Sequence, residues 1–301
     1  MEKKAELSRQ LARFLGGIAP ECNHAGQLSR GTLPRVSVIT ASFNQAAFLE
    51  RTILSVANQN YPNVEHIVID GGSTDGSLAI LERWSHLLGF WVSEKDRGQT
   101  HAINKGLARC TGDLIAFQNS DDVYLPGAFQ RTVECAIKNP RAGIIYGNFL
   151  HIDENDHVLD EQLLGTGFLW VQASLGPQIH NQAAFWRREV QDRIGILDES
   201  YRFDMDYEYF SRALAAGYRA KHVPAFLGAF RHHSASKTAN LQEISQQELA
   251  QVSGLYWSQS RAKDFPRPLV RIAAKAYKAL THVAQGRPDY LFRTPLNFKR
   301  G

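Results

Sequence analysis

Through its first half the chain alternates short β-branched apolar runs with stretches whose apolar residues recur every three or four positions. Val36-Ser-Val-Ile-Thr40 has the length and composition of a buried strand. The helix predicted after it carries Leu49, Ile53 and Val56 on one face, with Asn44 placed to cap its start and Pro62 to close it. Val64-Glu-His-Ile-Val-Ile69 is a second strand, and Ile80, Leu81, Trp84 and Leu87 mark a second helix. The pattern continues with the strand Phe90-Trp-Val-Ser93, a helix over Ala102 to Arg109 and the strand Asp113-Leu-Ile-Ala-Phe117. A helix from Pro126 to about Lys138 and the strand Gly143-Ile-Ile-Tyr-Gly147 complete it. Strands alternating with helices predict an α/β fold, with a mostly parallel central sheet and helices on both faces.

The alternation fades past residue 150. His151 to Gly217 holds polar loops, the aromatic patch Phe168-Leu-Trp170, and Asp204-Met-Asp-Tyr-Glu208 leading into an apolar helix. Residues 1–33 carry a short helical pattern (Leu7, Leu11, Phe14, Leu15) and then a Gly/Pro/Ser-rich stretch, and are predicted as an N-terminal extension. Residues 34–240 form the main domain. Residues 241–301 are predicted as a C-terminal helical basic extension, with Leu269, Ile272, Ala276 and Leu280 on one side of an amphipathic helix.

Hydrophobic residues make up 44% of the 301 and charged residues 21%, which excludes a disordered or fibrous chain. A net charge of +4 is too mild to mark a nucleic-acid binder, so no nucleic-acid partner is expected. The charge is uneven: from Arg261 to Gly301 ten basic residues face only Asp264 and Asp289, leaving the remainder net acidic. Such a tail suits peripheral contact with an anionic membrane, or packing on the domain or another subunit; both readings stand. Neither a membrane span nor a signal peptide is predicted, because no long apolar run occurs and the start Met1-Glu-Lys-Lys-Ala-Glu6 is charged. Cys22, Cys110 and Cys135 have neither zinc nor redox spacing and read as reduced thiols. A cytoplasmic location is expected, with a peripheral position at the inner membrane face left open by the tail.

Ligands of open α/β sheets sit at the carboxyl ends of the strands. Three predicted strands end in Ser42-Phe-Asn44, Asp70-Gly-Gly72 and Asn119-Ser-Asp-Asp122. Gly71, Gly72 and Gly76 do not spell the dinucleotide fingerprint and follow the second strand. Asp70 suits a reader of a base N–H, or an Asx-turn that binds nothing. The adjacent carboxylates of Asp121 and Asp122 suit Mg²⁺ or Mn²⁺ held together with phosphate oxygens, or a loop capping the next helix.

Val36-Ser-Val-Ile-Thr-Ala-Ser-Phe-Asn-Gln45, Ile69-Asp-Gly-Gly-Ser-Thr-Asp-Gly76, Asp96-Arg-Gly-Gln99 with Ala102-Ile-Asn-Lys-Gly106, and Asn119-Ser-Asp-Asp122 resemble the family 2 glycosyltransferases in order and spacing. The resemblance runs from about Pro34 to Thr238. It implies the GT-A fold, a nucleotide-diphosphate-sugar donor, inversion at the anomeric carbon, and the non-processive, bacterial polysaccharide type. Carried over, Thr40, Ser42 and Phe43 wall the nucleobase, Asp70 recognises uracil, and Arg97 contacts the pyrophosphate. Asn119 and Ser120 belong to the donor loop, and Asp121 matches the last Asp of the Asp-x-Asp metal motif, whose first position here is Asn119. His233 falls on the family's His position and reaches the Mn²⁺ or Mg²⁺ or the diphosphate, with Arg231 and Lys237 expected to neutralise the leaving group; taken without the family, the His-His pair reads as a solvated loop.

The acceptor half matches too. Asp206 takes the place of the general base, with Asp204 as its rival and a helix N-terminal charge as the bland reading. Gln182 is expected to contact an acceptor hydroxyl, and Trp186 to be a stacking platform or simple core. The expected function is metal-dependent transfer of one sugar, from a UDP-sugar by preference, to a glycan or lipid-linked acceptor in cell-surface polysaccharide or lipid-linked glycan synthesis. The alternatives are a nucleotidyltransferase-like enzyme and a non-catalytic nucleotide-sugar-binding protein. The former would carry a Gly-rich phosphate loop with a Lys after the first strand, and Ser42-Phe-Asn-Gln45 is not one. Absence of a Gln-x-x-Arg-Trp motif argues for adding a single sugar.

Overall fold

The structure is a computed structural model and describes residues 2–18, 33–165, 167–236 and 242–291. Strands β1 (Val36–Ser42), β2 (Val64–Asp70), β3 (Phe90–Ser93) and β4 (Leu114–Asn119) lie parallel in the order β3-β2-β1-β4. Five further strands extend the sheet: β5 (Val123–Tyr124), β6 (Ala142–Ile152), β7 (Val158–Gln162), β8 (Ala184–Arg187) and β9 (Arg219–Arg231). They continue from β4 in the order β8-β6-β9-β5, with β7 pairing β6. Among the described residues only β6 and β9 are parallel in this half; β8, β7 and β5 run antiparallel to their neighbours.

The helices are α1 (Glu2–Leu15), α2 (Ala46–Ala57), α3 (Ser77–Trp84), α4 (Gln99–Leu107), α5 (Ala128–Lys138), α6 (Leu169–Leu175), α7 (Arg188–Ile194), α8 (Met205–Ala215), α9 (Gln242–Trp257) and α10 (Arg267–Ala284). Successive strand residues point to opposite faces, and two clusters form accordingly. Ile39 and Ile67 join Ile103 and Leu107 of α4 on one side. Val68 joins Leu49, Ile53 and Leu81 of α2 and α3 on the other. The sheet is therefore covered on both faces, as the alternation predicts.

One local expectation is corrected. Asn44 does not cap α2: it sits at φ 52° and its Oδ1 accepts from the Thr74 amide at 2.9 Å. Asp75 takes over, accepting from the Ala46 amide at 2.8 Å. The loops after β1 and β2 are thus tied together rather than each closing on itself.

The described parts of both terminal extensions pack on the main body. Leu11 and Leu15 of α1 are buried with Val123, Leu125, Leu150 and Ala229. On the other side α9 reaches α6 and α8, with Ser253 Oγ donating to the Ala173 carbonyl and Tyr256 OH to Glu208 Oε1, both at 2.7 Å. Val270 of α10 is buried beside Trp257 and Ala173. Cys110 is a buried free thiol and Cys135 a half-buried one, while Cys22 lies outside the described residues. Among the described residues no helix is long and apolar enough to cross a membrane.

Candidate active site

Because β1, β2 and β4 are parallel and in register, with Ser42 opposite Asp70 and Ala41 opposite Asn119, their carboxyl ends open on one edge. The Asp70 carboxylate is buried there and fully engaged. Its Oδ2 accepts from the Gly72 and Ser73 amides and from Ser93 Oγ at 3.1, 2.8 and 2.7 Å, and its Oδ1 accepts from Ser73 Oγ at 2.5 Å. Its local state is therefore the Asx-turn, holding the loop that follows β2. Thr40 does not line the cleft as expected. It is buried with its hydroxyl 2.9 Å from His66 Nε2, a ring that burial holds neutral by lowering its pKa to about 3. Ser42 is buried with an unpartnered hydroxyl, and Phe43 presents an exposed ring. A Cβ on Gly71 would lie 2.7 Å from Asp96 Oδ2 and 3.3 Å from the Phe43 ring, so glycine lets both side chains close on this loop. Asp96 and Gln99 belong to the site region although the sequence reading gave neither a role; the Asp96-Arg-Gly-Gln99 motif was their signal.

At the end of β4 the four motif residues divide their work. The Asn119 amide accepts from Gln99 Nε2 at 2.6 Å and donates to Asp122 Oδ2 at 3.0 Å. Ser120 is buried, and its carbonyl accepts from Thr52 Oγ1 at 2.9 Å. Asp122 is wholly buried, accepting from the Arg231 amide at 2.9 Å and Gln182 Nε2 at 3.2 Å. Burial, reinforced by Asp121 next door, raises its pKa well above the carboxylate range. Asp121 is the partly exposed member, with Oδ2 3.0 Å from Nε2 of His233, a residue 112 positions later. The Phe48 ring packs on that imidazole at 4.5 Å between centroids. Arg231 is not free to meet a leaving group: it is buried, its guanidinium pairs with Asp156 at 2.7 Å and donates to the Asp121 carbonyl at 2.7 Å. Lys237 and Thr238 lie outside the described residues.

The Asp121 carboxylate oxygen suits Mn²⁺ or Mg²⁺, and the imidazole nitrogen beside it is a softer donor, better matched to Mn²⁺ than to Mg²⁺. Among the described residues no group of three or more His, Cys, Asp or Glu side chains could enclose an ion. Asp121 and His233 therefore fit a cation only as a two-residue site that a ligand's phosphates complete.

The acceptor side is joined to this loop by hydrogen bonds. Gln182 donates to Asp122, its Oε1 is buried without a partner, and the Asn181 amide donates to Asp206 Oδ2 at 3.4 Å. Gly228 makes that turn fit, since a Cβ on it would sit 1.8 Å from the Gln182 carbonyl oxygen. Asp206 lies in the first turn of α8 with its side chain half-buried, and desolvation raises its pKa to about 6. Asp204 is buried and raised to about 7, by burial first and then by Asp206 and Glu248. Glu248 of α9, unmarked in the sequence reading, accepts from the Arg202, Phe203 and Asp204 amides at 2.7, 2.8 and 2.8 Å, fixing the turn into α8.

The structure selects one of the two readings of Trp186 and gives Arg97 a partner. Trp186 is wholly buried against Phe117, Tyr209 and Phe210, so it is core and no stacking platform. Arg97 is exposed and paired with Glu199 at 2.8 Å, which holds the Glu199 pKa below its usual value. Contact with a diphosphate would require that pair to open.

Residues 37–189 match Glycosyl transferase family 2. The chain belongs to this family. As a family 2 member it is a glycosyltransferase with the GT-A fold. An uncharacterised glycosyltransferase of Mycobacterium tuberculosis is 34% identical over 185 residues, 60% of this chain and 69% of the relative. TuaG of Bacillus subtilis, a putative teichuronic acid biosynthesis glycosyltransferase, is 26% identical over 186 residues, 56% of this chain and 74% of its own. Among solved structures, S. aureus TarS in complex with UDP-GlcNAc superposes with a TM-score of 0.61 at 13% identity, covering 83% of this chain and 75% of that one. The mannosyltransferase PcManGT from Pyrobaculum calidifontis, in complex with GDP-Man and Mn²⁺, superposes with a TM-score of 0.57 at 18% identity, covering 97% and 86%. At such identities these structures speak for the fold alone.

Proposed function

We propose that this family 2 enzyme transfers one sugar from a nucleotide-diphosphate sugar, a UDP-sugar by preference, to an acceptor hydroxyl, with inversion and with Mn²⁺ or Mg²⁺. Its products would be cell-surface polysaccharide or lipid-linked glycan. The observation that carries the reading is the meeting of Asp121 and His233 at 3.0 Å beside the carboxyl ends of the parallel strands. The UDP-GlcNAc bound to TarS and the GDP-Man bound to PcManGT support a nucleotide-sugar donor, and the Mn²⁺ in the latter supports a metal. TuaG's name supports a polysaccharide setting. The uridine preference rests on the family resemblance of Asp70. A cytoplasmic location fits the free Cys110 and Cys135 thiols.

In this reading Phe43 and Ser42 wall the base, and Asp70 holds the loop beneath it. Asn119 and Ser120 shape the turn that presents Asp121. A cation bound by Asp121 and His233 would offset the charge developing on the departing nucleoside diphosphate. Arg97, released from Glu199, would add positive charge there. The Asp206 carboxylate takes the acceptor's proton as its oxygen bonds to the anomeric carbon on the face opposite the diphosphate. An α-linked donor then gives a β-linked product. The unpartnered Gln182 Oε1 accepts from an acceptor hydroxyl and orients it. A screen of nucleotide sugars for metal-dependent hydrolysis and thermal shift tests the reading. A UDP-sugar with Mn²⁺ is expected to respond; no response to any nucleotide sugar, with or without metal, would overturn it.

A further inference from the structure

We propose that α10 docks the enzyme on an anionic lipid bilayer through a fixed apolar stripe. Phe265, Leu269, Ile272, Leu280 and Val283 are 64%, 61%, 64%, 67% and 45% exposed. Within the helix Leu269, Ile272, Ala276, Leu280 and Val283 recur every three or four residues, so they form one row along it, and Phe265 stands exposed just before its start. The opposite side of the helix is anchored. Val270 and Ala274 are buried, His282 packs on Tyr290 at 4.6 Å, and Gln285 Nε2 donates to the Leu164 carbonyl at 2.6 Å. The stripe cannot turn inward without breaking these contacts.

Charge decides the occupant. From Phe265 to Gly286 the chain carries Arg267, Arg271, Lys275 and Lys278 and no carboxylate. Arg267, over the Trp257 ring at 4.9 Å, Arg271 and Lys275 are exposed, and Lys278 is half-buried. A second copy placed stripe to stripe would bring these cations together with no acid on the helix to offset them. An anionic headgroup layer takes both features at once: acyl chains receive the stripe and phosphates receive the cations. The helix also sits on α6, whose Gln172 carbonyl accepts from Tyr207 OH of α8 at 2.7 Å. If the transfer reading holds, the docking face connects through α6 to the helix that carries Asp206, which suits a lipid-borne acceptor; the docking itself does not depend on that reading.

Flotation of the full chain with phosphatidylcholine vesicles, with and without phosphatidylglycerol, tests the proposal. Binding is expected with the anionic vesicles. Arg271→Gln with Lys275→Gln should weaken it about 20- to 30-fold, since each cation near an anionic surface contributes roughly fivefold. Ile272→Glu with Leu280→Glu should abolish it while thermal stability and donor hydrolysis in solution stay unchanged. Three results would overturn the proposal: no binding of the unaltered chain, equal binding of the Ile272→Glu, Leu280→Glu chain, or a dimer that this variant splits without any vesicle binding. Flotation without donor turnover would sink the transfer reading and leave the docking surface standing.

Discussion

The carboxylate that accepts the acceptor's proton leaves a signature in the pH dependence of turnover. Burial raises the Asp206 pKa to about 6, where an ordinary aspartate titrates near 4. With that value about nine tenths of Asp206 is ionised at pH 7 and about one tenth at pH 5. The base must be ionised to act, so kcat/KM should fall about tenfold between those pH values. Asp204 is the control, because its pKa is raised to about 7 and a profile governed by it would break one unit higher. Initial rates of UDP-sugar consumption would be measured from pH 5 to 8 with saturating Mn²⁺, alongside donor affinity by calorimetry. Asp206→Asn should lower kcat by roughly 10²- to 10⁴-fold with donor affinity intact, and Asp204→Asn should keep the break near pH 6. Full turnover by Asp206→Asn, or a break that moves only when Asp204 is changed, would refute the assignment.

Glu248→Ala strips the acceptor from three backbone amides ahead of α8, so urea melts should show a loss on the order of 3 kcal/mol, with kcat reduced more than the donor KM. Unchanged stability and kcat would mean that this turn needs no anchor. Trp186→Ala should cost about 3–5 kcal/mol in the same melts, as for other large core rings, while Trp186→Phe leaves the acceptor KM alone; a KM effect in the phenylalanine variant would restore the stacking role. Glu199→Gln frees Arg97 from an exposed pair, and calorimetry should find donor affinity raised by no more than about fivefold. Weaker binding would show that Arg97 works through Glu199 rather than against it.

The parallel half of the molecule is legible because each strand there is a short apolar run ending in a motif. Val36–Thr40, Val64–Ile69 and Leu114–Phe117 all became central strands, and their ends do share one edge. Beyond β4 the antiparallel insertions of β8 and β5 left no local trace, since periodicity specifies a strand but not its direction or neighbour. The same limit explains the changed residues. Asn44 and Asp75 are equally good caps by composition, and the pairing of two loops decides between them. Trp186 differs from a sugar platform only by what surrounds it. Thr40 loses its place in the cleft to a contact with His66 on the neighbouring strand. The contact between Asp121 and His233 spans 112 residues and was reachable only through the family pattern. Glu248 offered no motif at all, because its partners are main-chain amides of a distant turn.

Calorimetric titration of UDP with and without Mn²⁺, into the unaltered chain and into Asp121→Ala, tests most directly whether a cation held by Asp121 and His233 grips the donor's diphosphate. Mn²⁺ should strengthen UDP binding by about tenfold or more in the unaltered chain and have no effect in the variant. The same Mn²⁺-dependent affinity in Asp121→Ala would contradict the account.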